Sequence, residues 1–173
     1  MWNEKKEAPR ITAELIYKRS ELVYDIENYA YVVGDVTQVE DEHLKHHIFD
    51  IAQDGKEDLV TRILNLAYAE CVEFLYPYTK NNVVDESLTN ILEVVESYRI
   101  ELSLPSEFSQ TTLNLIKKLI HDYMVCRVLT EWFSITIPAI LPLWQKRVET
   151  IRDSMRNAML NRRSRLRRRQ SMF

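Results

Sequence analysis

A chain of 173 residues, 46% hydrophobic and 28% charged, is long enough to bury one core and too apolar for general disorder. Two glycines and five prolines are too few for the tight turns of a sandwich, a barrel or a dinucleotide-binding fold, so long helices joined by few loops are expected. The net charge of −3 is unevenly divided: residues 1–145 carry 13 basic and 24 acidic side chains, residues 146–173 carry 10 and 2, so an acidic body joins a basic end.

Taken in chain order, Pro9 suits a first helical position, where its missing N–H costs nothing. From there a helix is expected to run to Val33 on the apolar stripe Leu15, Leu22, Ile26, Tyr29 and Val33, with Gly34 as a left-handed cap. A second helix is expected from about Val39 to Gln53, carrying Leu44, Ile48 and Ile51 on one side and ending at the turn Asp54-Gly55. The segment Lys56 to Leu75 is apolar over two adjacent stripes, Leu59-Ile63-Leu66-Phe74 and Val60-Leu64-Ala67-Cys71-Leu75, and is expected to be the central helix.

The period then changes. Tyr98, Ile100, Leu102 and Leu104 alternate with Arg99, Glu101 and Ser103 until Pro105, the pattern of a half-buried strand. Its nearest candidate partner is Tyr76 to Lys80, so a small two-stranded element is expected within the excursion 76–108, with residues 82–97 as a loop or short helix. Ser109 is placed to cap a long helix reaching about Phe133, with Leu113, Ile116, Ile120, Tyr123, Met124, Val128 and Trp132 inward. After Pro138 and Pro142, a last helix presents Trp144, Val148, Ile151, Met155 and Met159 on one face and the pairs Glu149/Arg152 and Asp153/Arg156 on the other.

The expected architecture is mainly α: a bundle of four to five helices over residues 1–160, a small two-stranded β element mid-chain, and a basic, flexible tail over 161–173. In that tail Arg162, Arg163, Arg165, Arg167, Arg168 and Arg169 place six guanidinium groups in eight residues, followed by Phe173. Such a run repels itself and has little to bury, but it can neutralise phosphates or pair bidentately with carboxylates. These six arginines and Phe173 are the candidate partner-binding residues.

Other chemistry has weaker support. Glu40, His43 and His47 share a helical face and amount to half of a metal site; with no complementary half, a solvated charged face is expected and no metal or cofactor is assigned. Cys71 and Cys126 sit in apolar helical patterns, where buried free thiols of a reducing compartment are expected rather than nucleophiles served by His121. No glycine-rich phosphate loop can be built from Gly34 and Gly55. Trp132 and Trp144 are expected to anchor the core, whereas Trp2 and Phe173 are candidates for docking on a neighbour. The charged stretch Met1 to Arg10 lacks the apolar core of a secretory signal, and no apolar run of about 18 residues spans a bilayer. An intracellular protein without enzymatic activity is expected.

The stretch Leu104-Pro105-Ser106-Glu107-Phe108-Ser109 leading into Leu113 to Trp132, then Trp144 to Met159 and the polar tail, resembles the head-tail connector, or neck adaptor, proteins of tailed bacteriophages. The likeness is one of architecture and rests on no motif. It implies a virion structural protein, found in the virion and in the host cytoplasm during assembly. It further implies a ring of identical subunits that contacts portal or tail proteins, each subunit's C-terminal segment reaching onto its neighbour. Two alternatives use other residues or other partners. The same arginines suit non-sequence-specific contact with a DNA backbone, although the acidic body opposes it. A metal-dependent enzyme would use the His43 to His47 face.

Overall fold

The computed structural model describes residues 9–37, 42–53, 55–76, 78–80 and 90–160. In chain order these form β1 (Arg10–Lys18), α1 (Arg19–Val36), α2 (Glu42–Phe49), α3 (Glu57–Phe74), β2 (Ser97–Pro105), α4 (Gln110–Thr136), a 3-10 turn (Pro138–Ile140) and α5 (Leu141–Leu160). The chain is thus mainly α, with five α-helices and one two-stranded antiparallel sheet among the described residues.

The first helix expected from Pro9 is instead a strand followed by a helix. Residues 10–18 are rich in Ile, Thr and Tyr, which fit a pleated surface, and Ala13, Leu15 and Tyr17 alternate inward against Thr12, Glu14, Ile16 and Lys18 outward. Their partner is β2, in a register running from Arg10 opposite Pro105 to Lys18 opposite Ser97. The strand expected at Tyr98 to Leu104 is present, and its four apolar residues are buried. Its partner is β1 rather than Tyr76 to Lys80, which contributes one backbone bond, from the Ser103 N–H to the Tyr78 carbonyl at 2.9 Å. Two further backbone bonds close the ladder's ends, Arg19 N–H to Glu96 and Ser106 N–H to Pro9.

The inner face of the sheet lies on α3. Tyr98 and Tyr68 rings meet at 5.3 Å, the Tyr98 hydroxyl donates to Asn65 Oδ1 at 2.8 Å, and the Tyr68 hydroxyl donates to the Arg99 carbonyl at 2.6 Å. α3 buries Val60, Leu64, Ala67 and Cys71, the second of its two stripes, while Leu59 and Leu66 of the other face outward. It is therefore a flanking helix, not the central one. That place belongs to α4, which from Tyr123 to Phe133 is buried except at Arg127 and Glu131 and packs against α1, α2, α3 and α5. Trp132 and Trp144 are both buried, as expected of anchors; the Trp132 indole N–H donates to the Ile48 carbonyl at 3.1 Å, and Trp144 meets the Phe133 ring at 5.1 Å.

Gly34 does not end α1. The helix continues to Val36, Thr37 closes it with its N–H and hydroxyl on the Val33 carbonyl, and the one glycine with positive φ is Gly55, at 94°, in the turn before α3. What Gly34 permits is close approach of α2: a Cβ there would lie 2.7 Å from Phe49 Cε1 and 3.0 Å from Ile48 Cγ2. α2 itself is shorter than the expected span from Val39 to Gln53. α4 and α5 follow the expected spacing closely, although the Ser109 side chain makes no capping bond. On α5, Arg156 reaches Asp153 at 3.8 Å, both side chains well exposed, so the pair contributes little.

Candidate interaction surface

The six arginines Arg162 to Arg169 and Phe173, named from the sequence as partner-binding, lie outside the described residues, as do Trp2, Glu40 and residues 82–89. The other candidates are placed. His43, His46 and His47 are exposed on α2, and no group of three or more metal-ligating side chains comes together among the described residues. Cys71 and Cys126 are buried free thiols. Burial, with Glu70 adding to it, pushes the Cys71 thiol well above its ordinary range, and burial raises Cys126 to about 11 despite the opposing charge of Arg147. Such thiols stay protonated and make poor nucleophiles. His121 does not serve either of them; its Nε2 lies 2.7 Å from Asp25 Oδ2, tying α4 to α1.

A polar cluster joins α3 and α4. Glu70 accepts from the Tyr123 hydroxyl at 2.7 Å and from Arg127 Nε at 3.4 Å, and Arg127 Nη1 donates to Glu131 at 2.7 Å. Burial, then the bond to Glu70, raises the Tyr123 phenol. Every charge here has its counter-charge in reach, which suits a brace between helices.

The apolar surface is elsewhere. The last turns of α1, the 3-10 turn and the start of α5 enclose a groove of about 420 Å³ walled by Val32, Val36, Ile140 and Leu143 over the Trp144 ring. Val36 and Leu143 are 76% and 69% exposed and line the same groove, so the apolar surface here is contiguous rather than scattered. Arg147 also lines the groove; its guanidinium lies 5.2 Å from the Trp144 ring and 5.0 Å from the Tyr29 ring while donating to the Tyr29 hydroxyl, and Tyr29 meets Trp144 edge-to-face at 5.9 Å. No family model, curated protein or solved structure matches the chain.

On a different side of α1, turned toward α2, the helix carries Tyr24, Glu27, Tyr31 and Asp35 at helical spacing. Tyr24 and Tyr31 are 64% and 61% exposed, and the Tyr31 ring is steadied by Phe49 at 5.1 Å. From Ser20 to Val36 the helix holds four carboxylates and no lysine or arginine. Sequence reasoning passed over this surface because it followed the stripe of Leu22, Ile26 and Val33 into the core. Val32 and Val36, apolar residues that fall off that stripe, were the available signal.

Proposed function

We propose that the protein is a structural component of a phage neck, a head-tail connector whose copies pack into a ring and meet portal or tail proteins. The observation that carries this reading is the exposed apolar groove of α1 and α5 beside an acidic helix face, in a chain whose basic charge is concentrated in one segment. Two different, complementary patches on one chain favour a heterologous contact, copy to copy, and such contacts generate rings when the rotation closes. The arginines Arg162 to Arg169 supply the basic partner of that contact. Its place is the virion, and the host cytoplasm during assembly; among the described residues no helix is long and apolar enough to cross a membrane.

The test is the mass in solution by light scattering at moderate salt, for the full chain and for the chain cut after Leu160. A ring-sized oligomer in the first and monomers in the second are expected. Monomers in both forms would refute self-assembly, and an equal oligomer in both would refute the role given to the arginines.

A further inference from the structure

Among the described residues, Arg147 is the one charged side chain that lines the groove between α1 and α5, and no carboxylate lines it. Arg19 and Arg127, which also brace neighbouring elements, hold Glu57 at 2.9 Å and Glu70 at 3.4 Å. Arg147 forms no such ion pair with a described residue: its side-chain hydrogen bond goes to the neutral Tyr29 hydroxyl at 3.1 Å, and Asp122 attracts it only from beyond ion-pair distance. An apolar groove with an unneutralised guanidinium in its wall has the polarity of an amphipathic anion in reverse. We infer that the groove is a binding site for a small amphipathic carboxylate, its apolar body against Val36 and Leu143 and its carboxylate on Arg147.

The charge stands at one end. Arg147 follows Leu143 by one turn of α5, about 6 Å. It bonds to Tyr29, which precedes Val36 by seven residues of α1, about 10.5 Å. The exposed valine and leucine thus lie away from the cation, as an apolar chain ending in a carboxylate requires. Contact with the Trp144 and Tyr29 rings holds the guanidinium, and the N–H groups not given to Tyr29 suffice for the two parallel bonds that a carboxylate accepts. The Thr37 hydroxyl, also at the groove, is committed to the Val33 carbonyl at 2.6 Å.

Size and charge select among occupants. A groove of about 420 Å³ has the dimensions of a small-molecule site, whereas a stable subunit interface takes about 800 Å² from each partner. A cationic ligand would meet Arg147 as a like charge, and a neutral hydrocarbon would cover the guanidinium without pairing it. The groove also enters the connector reading as part of a contact between copies, and the experiment separates the two uses.

The experiment is calorimetric titration of the full chain with sodium octanoate, octan-1-ol and octyltrimethylammonium, three probes with one apolar body and different heads. Octanoate is expected to bind one to one, octan-1-ol about tenfold more weakly, and octyltrimethylammonium not at all. Arg147→Gln should lower octanoate to the level of octan-1-ol and leave octan-1-ol unchanged, whereas Val36→Asp with Leu143→Asp should abolish both. The substituted side chains are exposed, and circular dichroism should show each variant as helical as the parent. Absence of octanoate binding, or binding that survives the two aspartates, would overturn the site. Equal binding of octanoate and octan-1-ol, or an equal loss of both in Arg147→Gln, would overturn the class of ligand. A protein that gives no heat with octanoate, and whose assembly by light scattering is lost with the two aspartates, would show the groove to be covered by a second copy, overturning this inference and leaving the connector reading standing.

Discussion

Replacing Tyr17 by Phe is expected to stabilise the protein. The Tyr17 side chain is 3% exposed at the inner edge of β1, and its hydroxyl oxygen is fully buried with no hydrogen-bond partner among the described residues. Burying an unpaired hydroxyl costs about 1–3 kcal/mol relative to water. Phenylalanine keeps the ring and its packing, and it leaves a void of only one oxygen, whose cost is a fraction of a kcal/mol at about 24 cal/mol per Å³. The net gain is about 1–2 kcal/mol, read as a higher urea midpoint at unchanged slope, or as a rise in Tm of roughly 2–8 °C for a domain of this size. The usual direction for removing a polar group from a tyrosine is a loss. A Tyr17→Phe variant less stable than the parent by 1 kcal/mol or more would refute the reasoning, since it would require the hydroxyl to be satisfied in the folded protein.

Alkaline pH should destabilise the fold before it affects the surface charges. Burial raises the pKa of Tyr17, Tyr68, Tyr98 and Tyr123 above 10.0 and of Cys71 and Cys126 above 9.0, so the folded state holds these protons more tightly than the unfolded one. The stability they contribute is complete below pH 9 and falls as pH rises through 9 to 11, which urea melts at stepped pH would detect; flat stability to pH 11 would contradict it. Gly34→Leu should lower stability by 2 kcal/mol or more, because even its Cβ would meet Phe49 and Ile48 inside contact distance; an unchanged urea midpoint would show that α1 and α2 are loosely apposed. Titration with zinc tests the His43 to His47 face directly: a solvated charged face gives no stoichiometric heat, and a one-to-one isotherm abolished by His43→Ala would show a metal site there.

Helical spacing located the long elements well, and for a physical reason. In α4 and α5 the inward residues Ile116, Ile120, Met124, Val128 and Trp132, and then Trp144, Ile151 and Met155, repeat at intervals a helix alone explains. β2 was legible because Tyr98 to Leu104 alternates and Pro105 stops it. Its partner was not, because pairing is decided 79 to 95 residues away, and the nearby Tyr78 looked sufficient. β1 was hidden by coincidence: Leu15 satisfies both the strand's alternation and the helical stripe through Leu22 and Ile26. α3 seemed central because its apolar residues spread around the helix, yet Leu59 and Leu66 are at the surface, 40% and 52% exposed. For the surface that would bind a partner, composition pointed to the arginines and to nothing on the body. A groove is a relation between elements, and Val36 meets Leu143 only once the chain has folded.

The pairing of β1 with β2 also sets a timetable for synthesis. Lys18 must wait for Ser97, and Arg10 for Pro105, before the sheet can close around the intervening helices. At about 5–20 residues per second, the first strand leaves the ribosome several seconds, on the order of 4–20 s, before its complement exists. Throughout that interval Leu15 and Tyr17 are an uncovered hydrophobic edge on a nascent chain.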